Sequence, residues 1–344
     1  MSAPGPAAVI VLAAGQGTRM KSPIPKTLHQ VCGRTMLGHC LAAATQLSPD
    51  RLIVVVGHDG ELVAEHAREQ VPDAVIVVQD YLGGTGHAVR VALEAVGTIR
   101  GTVVVTYADT PLLTGGTLAR LVRERTETGS AASVLTARVP DPSGYGRIVR
   151  DDDGLLAGIV EESDATAEER AISEINTGMY AFDGDLLADA VKRVRTDNAQ
   201  GEEYLTDAVS VLRSDGYTVA TVSCADVEEV QGVNDLAQLA LVTRVLNSRL
   251  LEAMMRNGVL VADPDSTWVD VGVDLAAGAY IGPSTKLEGR TSVAAGARVG
   301  PGCLLRDTEV GPGAAVVQSV CESAVISGGA KVGPFAHLVG ERVP

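Results

Sequence analysis

The chain has 344 residues, 28 of them basic and 43 acidic, for a formal net charge of −15. That length is enough for about two domains with cores of their own. The negative field opposes nonspecific binding to nucleic acid or to an anionic membrane, so the expected partner is a small molecule, and an anionic one must be held by a local cluster of cations and a metal ion.

Residues 8–14 form a short run rich in Val and Ile and bounded by turn residues, which predicts a central strand of a parallel sheet. The run ends at Gly15 and Gly17, where backbone N–H groups can approach a phosphate, and Arg19, Lys21 and Lys26 add positive charge on the same side. The combination suits a nucleoside triphosphate, although GQG alone would serve equally as a tight strand-to-helix turn. Helical and strand patterns then alternate: helix over 35–47, strand over 52–57, helix over 60–70, strand over 75–79, helix over 86–96 and strand over 102–106, followed by Tyr107, Ala108 and Asp109. This rhythm predicts an open parallel sheet covered by helices on both faces, with ligands at the carboxyl ends of the strands, where Asp109 stands.

From Ser133 onward the pattern changes. Turn residues over 140–146 lead into strands over 147–149 and 156–160, read as an inserted antiparallel layer. A strand over 174–182, helices over 185–194 and 202–212 and a strand over 218–223 follow. Leu236, Leu239, Val242, Leu246, Leu250 and Met254 lie close to helical spacing and predict a linker helix over 234–257. Beyond residue 258, Ile281, Leu287, Val293, Val299 and Leu305 recur at intervals of six, an interval repeated by Val310 with Val316 and by Val332 with Leu338. One inward aliphatic per flat face predicts a left-handed parallel β-helix. The predicted domains are therefore 1–233, 234–257 and 258–344.

The five cysteines, Cys32, Cys40, Cys224, Cys303 and Cys321, have no CxxC spacing and no histidine partner at metal-ligand distance, so buried free thiols are expected. The apolar run that follows Pro6 breaks at Gly15, too short for a membrane span or signal peptide, which leads us to expect a soluble cytoplasmic protein. His29 and His87 lie in motif stretches within reach of a phosphate or ribose. His39, His58, His66 and His337 are read as packing or surface residues.

Together the stretches LAAGQGTRMKSPIPK over 12–26, GTGHA over 84–88, YGRI over 145–148, IVE over 159–161, INTG over 175–178, NAQGE over 198–202, YLTD over 204–207 and GVN over 232–234 form a specific set. With the hexapeptide tail, the chain resembles the GlmU family over nearly all of its length; these enzymes join N-acetylglucosamine-1-phosphate uridylyltransferase to glucosamine-1-phosphate acetyltransferase. The resemblance implies a Rossmann-like nucleotidyltransferase domain of α/β class with a mostly parallel sheet, then a truncated left-handed parallel β-helix, and a homotrimer. It implies that Leu12, Ala13, Ala14, Gly15 and Gly17 wrap the nucleotide, that Arg19 holds the leaving pyrophosphate, and that Lys26 reaches phosphate oxygens near the reacting phosphorus. Gln79, Gly84 and Thr85 match positions that contact uracil, and Tyr107 lies beside the ribose. Asp109 and Asn234 would hold Mg²⁺, while Gly146, Glu161, Asn176, Tyr204 and Thr206 would receive the sugar phosphate. The implied reaction transfers UMP from UTP to N-acetylglucosamine 1-phosphate.

The sequence also departs from the family pattern. Gly83 replaces a leucine before GTGHA, a change expected to enlarge the base pocket. Ala108 replaces a glycine, adding a methyl expected to crowd the ribose or sugar. Asp235 and Leu236 replace Asn and Arg, and Val339 stands where the family carries an arginine. The short C-terminal segment carries the expectation that acetyl transfer is absent. Two readings stay open beside the first: a nucleotidyltransferase for another sugar-like 1-phosphate (a cyclitol phosphate included) or another nucleoside triphosphate, and a noncatalytic nucleotide-binding scaffold.

Overall fold

A computed structural model describes residues 5–58 and 60–344. The chain forms two compact units: one runs to Leu236 except for Gln30–Arg34, and the other consists of that short segment with Ala237–Pro344. The first unit is built on β1 (Ala8–Ala13), α1 (Met36–Thr45), β2 (Leu52–Gly57), α2 (Glu61–Gln70), β3 (Val75–Gln79), α3 (Thr85–Val96), β4 (Thr102–Tyr107), α4 (Gly115–Thr128) and β5 (Ala132–Arg138). It continues through β6 (Gly146–Arg150), β7 (Leu156–Val160), β8 (Glu174–Asp183), α5 (Gly184–Arg193), α6 (Leu205–Ser214) and β9 (Val219–Ser223).

The main sheet has the order β9-β5-β8-β4-β1-β2-β3. β1 pairs parallel with β2 and β4, β2 with β3, and β5 with β9. β8 runs antiparallel to both β4 and β5, and the β6–β7 hairpin joins it as the antiparallel layer that the sequence predicts. Side chains alternate across a strand, so Val9 and Val11 of β1 enter one core with Leu37, Leu41, Val54 and Leu121, whereas Ile10 and Leu12 enter the other with Val55, Val89, Val105 and Leu212. Both faces are covered, which is why the strand is apolar throughout. Each fully buried Val or Ile contributes about 1.5–3 kcal/mol.

Most predicted elements are present within two residues at either end. Two that the reading left unassigned, α4 and β5, complete the sheet and one of its helical faces. Helix α4 carries ordinary signals, with Thr114 accepting from the backbone of Thr117 at its start and Gly129 in left-handed backbone at its end. Its first turn opens with Gly115 and Gly116, poor helix formers that hide the pattern. The helix predicted from 202 begins at Leu205.

In the second unit, helix α7 (Leu236–Arg256) buries Leu251 against three five-stranded parallel sheets. Asn247 fastens it there, its amide donating to the carbonyl of Thr267 and accepting from the backbone of Val269, both at 2.9 Å. The sheets stack as coils of a parallel β-helix: Ile281 pairs with Val299, Val299 with Val316 and Val316 with Val332. Leu287, Leu305 and Cys321 form a second buried ladder. The interval of six is not uniform. The coil from Leu305 to Cys321 is two residues shorter than that from Leu287 to Leu305, and Asp307 and Gln318 adopt left-handed backbone at its corners. Gln30–Val31 also pairs with Arg34–Thr35 in a small hairpin, and Cys32 accepts from the backbone of Val271.

All five cysteines are buried and free. Among the described residues, no helix is long and apolar enough to cross a membrane.

Candidate active site

The cleft opens where β1 and β4 end, on the crevice side of two adjacent parallel strands. The pairing of Leu12 with Tyr107 is extended by the backbone of Ala108 donating to Leu12, and Asp109 follows. The loop after β1 turns through Gly17, whose backbone is left-handed (φ 62°). A Cβ there would stand 2.4 Å from that of Lys26, so glycine lets the Lys26 stem cross the loop. Buried Met20 anchors the far side of the turn.

Lys26 Nζ donates to Asp109 Oδ2 at 2.6 Å and to Asn234 Oδ1 at 2.9 Å. Arg19 Nη2 donates to the same Asn234 oxygen at 2.9 Å. The backbone of Val233 donates to the Asp109 carbonyl, which brings the GVN turn beside the end of β4. Four residues spread over 215 positions of sequence thus form one hydrogen-bonded cluster.

The opposite wall comes from the antiparallel layer. In β8 the register to β5 slips between Asn176 and Tyr180, a bulge centred on Gly178 with φ 84°. A Cβ on Gly178 would lie 2.3 Å from Tyr107 Cε2, so the INTG glycine makes room for the Tyr107 ring. Asn176 accepts from the Gly178 backbone and donates to the Tyr180 hydroxyl. Glu161, at the end of β7, accepts from Thr206 Oγ1 at 3.0 Å. Burial raises its carboxyl above the usual carboxylate range, and the nearby charges of Asp207 and Asp164 add to the effect while the Thr206 bond opposes it. Burial also raises the Tyr107 phenol, with help from Glu161 and Asp109.

The residues proposed from the sequence come together. Leu12, Ala13, Ala14, Gly15, Lys26, Gln79, Gly84, Thr85, Tyr107 and Asp109 line one cavity, and Gly17 lines its neighbour. Arg19, Tyr107, Asp109, Gly146, Glu161, Asn176, Tyr204 and Asn234 line a third. Thr206 is buried behind Glu161, so it orients that carboxylate from outside the cavity's lining. His29 does not line these cavities, and His87 is buried with Nδ1 2.9 Å from Gln79 Nε2.

Two expectations change. The methyl of Ala108 points away from the cleft into the core beside Leu37, Cys40 and Leu113, because it alternates with Tyr107 and Asp109; it crowds neither ribose nor sugar. Gly83 does not leave an empty space, since a Cβ there would meet His87 Nδ1 at 2.6 Å and Tyr81 Cε2 at 2.8 Å.

A residue that the sequence reading passed over is Arg147, in YGRI, only 1 % exposed. Its guanidinium donates to Glu162 Oε2 at 2.6 Å and to the carbonyls of Tyr145 and Arg170. Glu162 in turn accepts from the Gly144 backbone. Arg147 therefore braces the two segments that present Gly146 and Glu161. Its signal was an arginine on the inward side of a short alternating strand.

Residues 9–171 match the MobA-like NTP transferase domain family. The chain is 56 % identical over 330 residues to the bifunctional protein GlmU of Thermobifida fusca, covering 95 % of this chain and 68 % of that one. It is 53 % identical over 340 residues to the bifunctional protein GlmU of Streptomyces avermitilis, covering 98 % and 70 %. The bifunctional protein GlmU of Micrococcus luteus is 49 % identical over 347 residues, with 97 % of this chain and 70 % of that one covered.

Proposed function

The chain belongs to the GlmU family of nucleotidyltransferases, and from that membership and the cleft geometry we propose that it transfers UMP from UTP to N-acetylglucosamine 1-phosphate, releasing pyrophosphate. One observation carries the reading. Asp109 and Asn234 converge on a single cationic nitrogen, beside Arg19 and in a cleft whose other wall carries Glu161 and Asn176.

The same convergence tests the fit of a metal. The two oxygens already share one cation, the Lys26 ammonium, and a carboxylate with an amide oxygen is a suitable pair for Mg²⁺, which takes its remaining ligands from phosphates and water. Asp109 and Asn234 would hold the ion; when bound, it supplies neutralising charge to the nucleotide phosphates. Backbone N–H groups of Gly15 to Gly17 cradle the triphosphate, and Arg19 meets the leaving pyrophosphate. In this reading Lys26, at the centre of the cluster with Asp109 and Asn234, serves the oxygens of the α-phosphate. Glu161 and Asn176 orient the sugar.

In the step itself, an oxygen of the sugar 1-phosphate forms a bond to the α-phosphorus, and the bond from that phosphorus to the bridging oxygen breaks, its electron pair leaving with pyrophosphate. The attacking phosphate is ionised near neutral pH, so catalysis consists of positioning and charge neutralisation, with no covalent enzyme nucleophile. The reading extends to a cytoplasmic homotrimer: the five buried free thiols support the compartment, the trimer rests on the resemblance alone, and light scattering measures the assembly. Val339 is exposed where the family segment carries an arginine, and acetyl transfer is left out of the proposal.

The test is pyrophosphate release from each nucleoside triphosphate against a panel of sugar and cyclitol 1-phosphates, with and without Mg²⁺. Release confined to UTP with N-acetylglucosamine 1-phosphate is expected. Turnover with a different pair overturns the substrate assignment, and silence throughout leaves a nucleotide-binding scaffold.

A further inference from the structure

Tyr81 stands in the loop between β3 and α3 with 61 % of its surface exposed. It lines a cavity together with Gly15, Gln16, Gly17 and Gln79, so a flat aromatic ring borders the loop read above as the triphosphate cradle. One side of the ring is fixed. It stacks on His87 with centroids 4.2 Å apart and planes at 25°. His87 is itself buried, with Nδ1 2.9 Å from Gln79 Nε2, and that same amide donates to the Gly84 carbonyl at 3.1 Å. The backbone of Gly83 donates to the Tyr81 carbonyl and accepts from Glu203, which closes the turn that follows Tyr81.

Residue 83 decides whether this arrangement exists. A Cβ at that position would stand 2.6 Å from His87 Nδ1 and 2.8 Å from Tyr81 Cε2, so any larger side chain must displace the stack. Glycine at position 83 and the tyrosine at the cavity rim therefore belong to one arrangement.

We propose that Tyr81, held by His87 and admitted by Gly83, is a stacking platform for the nucleobase and an affinity-determining residue of this chain. The inference rests on the nucleotide reading above. Every base offers a flat π-face, and an aromatic platform recognises it with little regard to its hydrogen-bonding edge. Sequence-tolerant affinity therefore comes from Tyr81, leaving discrimination between bases to the polar groups at Gln79, Gly84 and Thr85.

Equilibrium binding by titration calorimetry, with UTP, CTP, ATP and inorganic tripolyphosphate as ligands, separates the base term from the phosphate term. Tyr81→Ala is expected to weaken UTP about tenfold or more while leaving tripolyphosphate unchanged. Tyr81→Phe should bind as the parent does. Gly83→Leu should weaken UTP to the same extent as Tyr81→Ala, and the double variant no further, since both remove one stack. Parental UTP affinity in a folded Tyr81→Ala variant overturns the inference, as does an equal loss for tripolyphosphate. A parent protein that binds tripolyphosphate but no nucleotide instead overturns the nucleotide reading on which it rests.

Discussion

Lys26 is the residue on which the clustered charges depend, and Lys26→Ala removes the cation shared by Asp109 and Asn234. Its side chain is 10 % exposed and that of Asp109 26 %, so the pair lies mostly out of water and is worth more than a surface ion pair. A hydrogen bond to a charged group contributes about 1.5–3 kcal/mol, and the partial exposure of Asp109 lets water recover some of it, so a loss of about 1–2 kcal/mol is expected. At about 2–4 °C per kcal/mol for a chain of this size, melting should fall by a few degrees. Nucleotidyl transfer should fall about a hundredfold, the effect of removing about 3 kcal/mol of charge stabilisation in the transition state. The two losses are separable, because Mg²⁺ added to the variant can occupy the vacated point between Asp109 and Asn234. Thermal melting with and without MgCl₂ should therefore show a larger Mg²⁺-induced rise in Lys26→Ala than in the parent. A variant with parental kcat/KM, or one whose Tm responds to Mg²⁺ no more than the parent's, refutes the reasoning.

Gly178→Ala forces a Cβ to within 2.3 Å of the Tyr107 ring at a backbone φ of 84°; a loss of about 1–3 kcal/mol is expected, measured by urea unfolding, together with weaker nucleotide binding. Glu161 has a raised carboxyl pKa, so the native state binds its proton more tightly than the unfolded chain does and stability drops as pH climbs from about the ordinary value of 4.5 through the native value. Glu161→Gln should thus melt higher than the parent at neutral pH, lose that advantage as pH falls below the ordinary range, and lose transfer activity at every pH; an advantage confined to acid would contradict the assigned sign. Leu305→Ala opens a cavity at a fully buried rung of the prism and should cost about 2–5 kcal/mol in that unit, visible as a lowered transition by calorimetry.

Much of the fold could be read from local pattern. The apolar strands of the first unit are buried on both faces, which makes them continuous runs, and the prism repeats because each coil must place an aliphatic inward. The coil lengths were less legible: Val310, read as one of the repeat's aliphatics, follows Leu305 by five residues and not six, and its pairing with Val293 keeps it on the inner ladder across the shorter coil. Helix α4 was hidden by the glycine pair that opens it. The hairpin at Gln30–Thr35 consists of two-residue strands, too short for any periodicity to mark.

At the site, the glycine loop and the strand end brought forward Arg19, Lys26 and Asp109, whereas Glu161, Asn176 and Asn234 came forward through the resemblance of their motifs to the family. The sequence by itself determined the alternating architecture and the repeat, which depend on residue type and short spacing. Only the tertiary structure decided that Lys26 and Arg19 meet Asn234, that Ala108 turns its methyl into the core, that Arg147 is buried as a brace, and that Gly83 makes room for Tyr81. Each of these depends on the direction in which a side chain leaves its backbone and on what another segment places there, and packing sets both across distances that no local pattern records.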